Sequence, residues 1–240
     1  MSCFFSDSFE IPFSKKSIAD FGIPCLTIVG PSFNFYLQQM INFRSITEIT
    51  EEEEEMKESA LEALLKAAKK TIKWISETWD KETLVDPEDD ATSSENNSST
   101  ILHFNFGGKY ILFTADAGGP ALREACDFME KKGIPLQNFS MFQVPHHGSK
   151  RNVGPTILDR LVGRKLPMNS QPKFSAIISA AKDGNPKHPN KRVINALIRR
   201  GAKVFITQGA TICHHSPRTP DRAWQKAKPL PFFNRIEEED

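Results

Sequence analysis

The sequence predicts an α/β fold in which a mixed sheet is covered by helices. Three observations carry this expectation. From Thr100 onward, short runs rich in β-branched and aromatic residues alternate with stretches of helical period. Gly, Pro and Asn punctuate the boundaries, where strands turn and helices are capped. Finally, the runs Ile101 to Phe106 and Lys109 to Thr114 are separated only by Gly107-Gly108, a hairpin signature. A hairpin followed by repeated helix–strand units is the pattern of a sheet with helical cover.

The elements follow in chain order. Cys25 to Val29 is a β-branched run stopped by Gly30-Pro31-Ser32, hence a strand and a turn, and Ser32 can cap a helix from Phe33 to Phe43. Ala60, Leu61, Leu64, Leu65, Ala68, Ile72, Ile75 and Trp79 recur at helical spacing, so an amphipathic helix is expected there. Its acidic start, Glu51 to Glu55, reads as a solvated first turn that suits the helix dipole. Residues 81–99 turn acidic and Ser/Asn-rich, which reads as a loop or linker. After the hairpin come a helix from Pro120 to Lys132, a strand from Ser140 to Val144 and a helix from Pro155 to Val162. Then follow a strand from Ala176 to Ala180, a helix capped by Asn190 and a strand from Lys203 to Thr207. A last strand is expected near Thr211 to Cys213. The division is 1–50, 51–80, 81–99, 100–216, and a Pro-rich acidic tail at 217–240 with a mobile end.

Bulk properties exclude some functions. With 31 Lys plus Arg against 30 Asp plus Glu, the chain does not bind nucleic acid or membrane by net charge alone. No apolar run is long enough to cross a membrane, and the first residues lack the basic region of a signal peptide. The four Cys form no CxxC pair, so reduced thiols in a cytoplasmic protein are expected.

Chemistry concentrates in two stretches. Val144-Pro145-His146-His147-Gly148-Ser149 follows one apolar strand, and Asp116 follows another, Ile111 to Phe113. Ligands of α/β sheets gather outside the carboxyl ends of strands. Two imidazoles and a carboxylate there are donors for a metal ion such as zinc, and a carboxylate can bridge two ions. The plainer alternative for Asp116 is a turn or helix cap. In extended backbone His146 and His147 would point to opposite faces, so either can be the ligand. Ser149, Lys150 and Arg151 add a hydroxyl and two cations that can hold a phosphate oxygen. His188 lies in a loop opening from the next strand end. His103 alternates along its strand and reads as structural, while His214 and His215 stand in a weaker context. Lys191, Arg192, Arg199 and Arg200 read as a solvated helix face.

These motifs also carry a resemblance. Asn97-Ser98-Ser99, Gly108 to Ala117, the His-His-Gly-Ser stretch, Lys187-His188-Pro189 and Gly209 to Ile212 follow one another as in the C-terminal half of metallo-β-lactamase-fold hydrolases. The branch they resemble includes the metallo-hydrolase domain of competence (DNA-uptake) proteins. Leu26 to Ser32 resembles the strand and turn that end the N-terminal half, so 1–50 would be a remnant of that half. The resemblance implies an αββα sandwich, here partial, with two metal ions, zinc or alternatively manganese. It implies Asp116, His147 and His188 as metal ligands and His146 and His147 as catalytic residues, while Ser149 and Lys150 are expected on the substrate from their own chemistry. It implies hydrolysis of a phosphodiester or related ester by a metal-activated water.

Two departures stand out. Ala115 replaces the Gly that usually precedes the Asp. More importantly, residues 1–102 contain no His, so the family's principal motif, His-x-His-x-Asp-His, is missing. Three readings follow. The chain is a half that needs its partner half in trans; or a degenerate homologue serving as an interaction module; or a hydrolase with one metal on Asp116, His147 and His188. A half of such a sandwich should expose apolar surface where the other sheet would pack.

Overall fold

The computed structural model describes residues 26–44, 73–182, 188–215, 219–220 and 222–238. Among these residues, eight strands and five α-helices are numbered in chain order: β1 (Leu26–Gly30), α1 (Phe33–Met40), β2 (Trp74–Ser76), α2 (Ser94–Asn97), β3 (Ile101–Phe106), β4 (Lys109–Phe113), α3 (Gly119–Lys131), β5 (Phe139–Gln143), α4 (Pro155–Val162), β6 (Phe174–Ile178), α5 (Lys191–Arg199), β7 (Ala202–Ile206) and β8 (Arg235–Glu237). The α/β expectation holds. A six-stranded mixed sheet has the order β1-β3-β4-β5-β6-β7. β3 pairs antiparallel with β1 on one side and β4 on the other, and β4 to β7 run parallel.

Strand registers explain where the core sits. His103, Leu112, Phe142, Ala176 and Val204 pair in one row across five strands, and all are buried. Helices α3, α4 and α5 connect successive parallel strands, and right-handed crossovers put such helices on one face. Their buried stripes supply the other half of the core. Ala121, Leu122, Ala125, Cys126 and Met129 come from α3, and Val193, Ile194, Ala196 and Leu197 from α5. Each large side chain buried there contributes about 1.5–3 kcal/mol. Burial pushes the Cys126 thiol up to about 12, so it is an inert core residue. The opposite row runs Phe104, Ile111, Met141, Ser175 and Lys203. That face is less covered: Phe106 and Phe113, on the same side, are 45% and 36% exposed.

Several sequence expectations need correction. Of the helix expected over 51–80, residues 51–72 lie outside the described residues. The remainder is not helical: Trp74–Ser76 pairs with β8, Ile75 opposite Ile236. Local helical spacing is overridden there by a strand partner distant in sequence. The 81–99 segment, expected as a loop or linker, is a loop with one 3-10 turn and α2, and it is packed against the rest. Asp86 accepts hydrogen bonds from the Thr156 amide and hydroxyl at the start of α4, and Leu84, Thr92 and Asn97 are buried. No strand forms at Thr211 to Cys213. The tail is not a free end up to residue 238, since β8 pairs with β2, Leu230 and Phe233 pack on the core, and Asn195 and Phe233 exchange two hydrogen bonds.

Arg199 and Arg200 do not form a solvated face. Arg199 is fully buried, paired with Glu77 and donating to the carbonyls of Trp79, Thr78 and Lys81. Arg200 pairs with Glu82 and Asp159. A buried guanidinium needs every donor matched, and the 77–82 segment supplies the acceptors.

Candidate functional site

Parallel strands β4, β5 and β6 all end at one rim, and each hands the chain to a loop there. After β4, Thr114 bonds back to β5: its hydroxyl donates to the Gln143 carbonyl and its amide to Gln143 Oε1. The Ala115 amide shares that oxygen at 3.3 Å. Ala115 adopts φ 46°, and Asp116 follows with its amide donating to Ser99 Oγ. Asn152, itself buried, donates to the Asp116 carbonyl at 2.9 Å. The backbone of Asp116 is thus held from two sides while its side chain stays 44% exposed.

After β5, Pro145 leads into a tight 3-10 turn at His146–Gly148. The His146 amide donates to the Ala115 carbonyl, which joins the two loops. His146 and His147 have φ of 44° and 55°, so the chain is not extended here and their side chains do not alternate. The rings stay together, with centroids 5.6 Å apart. His188, at the start of the described segment leading to α5, places its ring edge-to-face with His146 at 5.9 Å. Gly148 makes this approach possible, because a Cβ there would lie 2.9 Å from Pro189 Cβ. The Gly148 carbonyl accepts from the Asn190 amide, and Asn190 caps α5.

Ala115, His146 and His147 are all non-glycine residues in the left-handed region. Such positions cost on the order of 1–3 kcal/mol each and cluster at functional sites. Three of the seven such residues among the described ones fall in these two touching loops.

The side chains are polar and partly shielded. His146 Nδ1 lies 3.6 Å from Asp116 Oδ1 and 3.3 Å from Asn96 Nδ2. Burial lowers the pKa of His146, the Asp116 charge opposes that, and His147 adds to the lowering. His147 is exposed, and its Nδ1 lies 2.5 Å from the Ser179 carbonyl. A carbonyl can only accept, so Nδ1 donates to it, and in the neutral ring the lone pair is then left on Nε2. That is the tautomer a metal-binding imidazole needs. Ser149 is buried, with its hydroxyl accepting from the Arg151 amide, so it shapes the turn; Lys150 is half-buried beside it.

The structure therefore brings Asp116, His146, His147 and His188 to one rim. It does not make them a cage. Among the described residues no group of three His, Cys, Asp or Glu side chains is placed to hold a metal ion. The donor types suit zinc, but the set among the described residues does not by itself fit the ion.

The other histidines lie elsewhere. His103 is buried and stacked on Tyr110 at 5.5 Å, in keeping with a structural role. His214 and His215 line a cavity of about 1080 Å³ over the less covered sheet face, with Trp224 and Lys203. Sequence reasoning missed most of the residues that hold the rim together: Asn96, Gln143, Asn152 and Ser179. Asn97-Ser98-Ser99 stood in the motif order, but nothing in spacing pointed to Gln143 or Asn152.

With this geometry in hand, comparison with known proteins adds one finding. The chain is similar to ComE operon protein 3 of Bacillus subtilis (strain 168). Identity is 32% over 130 residues, which is 54% of this chain and 15% of that protein. This chain therefore corresponds to a small part of that relative's length. No family model matches the chain, and no solved structure matches it. Among the described residues, no helix is long and apolar enough to cross a membrane.

Proposed function

We propose that this chain is half of a metal-dependent hydrolase of the metallo-β-lactamase fold, acting on phosphodiester or related ester bonds. In this reading a His-x-His-x-Asp-His half supplied in trans completes the site, and the protein works in the cytoplasm. The observation that carries it is the gathering of Asp116, His146, His147 and His188 at the ends of three adjacent parallel strands. The similarity to a competence operon protein supports the same family. So does the less covered sheet face around Phe106 and Phe113, which offers a docking surface for a second sheet. Asp116, His147 and His188 are this chain's share of the metal donors, zinc first and manganese second. Lys150 lies one turn beyond, within the segment that would meet a phosphate or nucleic-acid substrate.

The test is metal content and hydrolysis of a simple phosphodiester, measured on the chain alone and mixed with a His-x-His-x-Asp-His half. Little bound metal and little turnover alone, with both restored in the mixture, is the expected result. No metal and no turnover in either arm would leave the non-catalytic interaction module, which the absence of His from residues 1–102 favours. One equivalent of zinc on the lone chain would instead support a single-metal hydrolase.

A further inference from the structure

We propose that the open cavity on the outward side of β6 and β7 is a binding site for a small aromatic anion, whose rings lie against Phe205 and Trp224 and whose charge meets Lys203 and Lys226. The inference is independent of the hydrolase reading, since none of these residues lies at the rim.

The cavity is built from two strands and one loop tied down at both ends. The chain leaves the sheet after β7, where the Thr207 amide donates to the Ile178 carbonyl and the Thr207 hydroxyl to the Ala180 carbonyl. It returns to the same strand at Leu230, whose amide donates to the Val204 carbonyl at 2.7 Å. The outward row of the two strands forms one wall: Ile177 stands opposite Phe205, and Ser175 opposite Lys203. Ile177 and Phe205 are half-buried. The loop supplies the other wall with Ile212, Trp224 and Lys226. The space between them, about 1080 Å³, matches the upper end of the ~300–1,000 Å³ of small-molecule sites.

Charge and shape both select the ligand. The described residues lining the cavity include two lysines and no Asp or Glu, in a chain whose 31 basic and 30 acidic residues nearly balance. The local sign is therefore positive where the average is neutral, which favours an anion. Arg222 adds a further cation, its guanidinium 5.3 Å from the centroid of the Trp224 ring. The indole itself stays 52% exposed, steadied by Arg222 and by the His215 ring, 6.4 Å away between centroids. A large ring kept accessible among cations offers a face on which another aromatic ring can stack. A second sheet packed over this end of the face would bury Lys203 against apolar side chains at a cost, whereas an anion would pair with it.

The test titrates the full chain with two dyes that brighten on leaving water. One is anilinonaphthalenesulfonate, an aromatic anion; the other is N-phenyl-1-naphthylamine, the same ring system without the sulfonate. The expected result is a saturable tightest site for the anionic dye. Lys203→Gln combined with Lys226→Gln should weaken that site about 2- to 30-fold, the worth of two partly exposed ion pairs, and leave the neutral dye within about twofold. Trp224→Ala should weaken both dyes, and Phe113→Ser, at the other end of the same face, should change neither. Lys203, Lys226 and Trp224 are exposed, so the variants keep the fold, which circular dichroism verifies. An anionic dye indifferent to the lysine exchange, equal losses for the two dyes in it, or a loss in Phe113→Ser without one in Trp224→Ala overturns the proposal. So does displacement of the dye by a short single-stranded oligonucleotide that binds more tightly, which would make this a nucleic-acid surface. Neither metal nor the partner half enters the assay, so its outcome and that of the hydrolase assay are separate.

Discussion

Gly148→Ala should damage the site more than its size suggests. Two costs add. Gly148 has φ +78°, in the left-handed region, where an L side chain costs about 1–2 kcal/mol. The new Cβ would also lie 2.9 Å from Pro189 Cβ and 3.4 Å from Pro189 Cα, well inside the ~3.5–4.0 Å at which carbons rest. The Pro189 ring cannot swing aside like a long side chain, so overpacking adds about 1–3 kcal/mol. The total, about 2–5 kcal/mol, is a large share of the ~5–15 kcal/mol that stabilises a typical domain. Relief requires moving Pro189, which loosens the bond from the Asn190 amide to the Gly148 carbonyl and carries His188 away from His146. Gly108→Ala is the control. Its φ is +83° but nothing lies within 4 Å of the added methyl, so it reports the conformational cost alone. Urea denaturation of both variants isolates the steric part, and histidine ring signals report the displacement. Equal losses in the two variants, with unshifted His146 and His188 signals, would refute this account of the loop.

Three further outcomes are expected. Arg199→Ala strips the partner from buried Glu77 and the donor from three backbone carbonyls, so it should cost at least about 3–5 kcal/mol in chemical denaturation; a loss below about 1 kcal/mol would contradict the buried pair. Partial burial raises the Glu95 carboxyl, but the hydrogen bonds from Arg44 prevail and hold it at about 2 against an ordinary 4.5. A depressed acid gives stability that is present above pH 4.5 and lost as pH falls toward 2, so an acid titration of stability should show a loss of about 1 kcal/mol there that Arg44→Ala removes. Ala115→Gly relieves the strain of φ 46° while adding freedom to the unfolded chain, so stability should change by less than about 1 kcal/mol; a larger loss would mean that the Ala115 methyl is itself packed.

The sheet and its helices were legible because they depend on local signals. Pro at the start of α3 and α4, Asn190 before α5 and Gly163 after α4 stand where residue chemistry puts them. What failed to show was pairing over long distances. Ile75 and Trp79 fit a helix by spacing, yet strand β8, some 160 residues away, decides the conformation of residues 74–76. Arg199 and Arg200 look like any cationic helix end until the acidic 77–82 segment is seen to cover them. The candidate site divides in the same way. Asp116, His146, His147 and His188 were legible because they sit at strand ends, whereas Gln143 and Asn152 act through backbone contacts that leave no pattern in the chain.

That division bears on how the rim could lose or gain activity. The strained residues at 115, 146 and 147 are maintained by bonds from Gln143, by the His146 amide to the Ala115 carbonyl, and by close packing at Gly148. A scaffold with no further use for its imidazoles would lose little by relaxing these residues, since Gly at 115 or 147 removes the strain at small net change in stability. The backbone instead keeps three of them strained in contact with one another, while no complete metal cage exists among the described residues. Strain of this kind is in keeping with the proposed site, in which the four side chains meet a ligand completed from elsewhere. The two proposals therefore separate at one place. Exchanging His147 and Ala115 together for Gly should stabilise the lone chain or leave it unchanged, and should abolish metal uptake with the partner half. If the same exchange instead destabilises the chain by several kcal/mol, the two residues are structural supports and the case for a catalytic rim is lost.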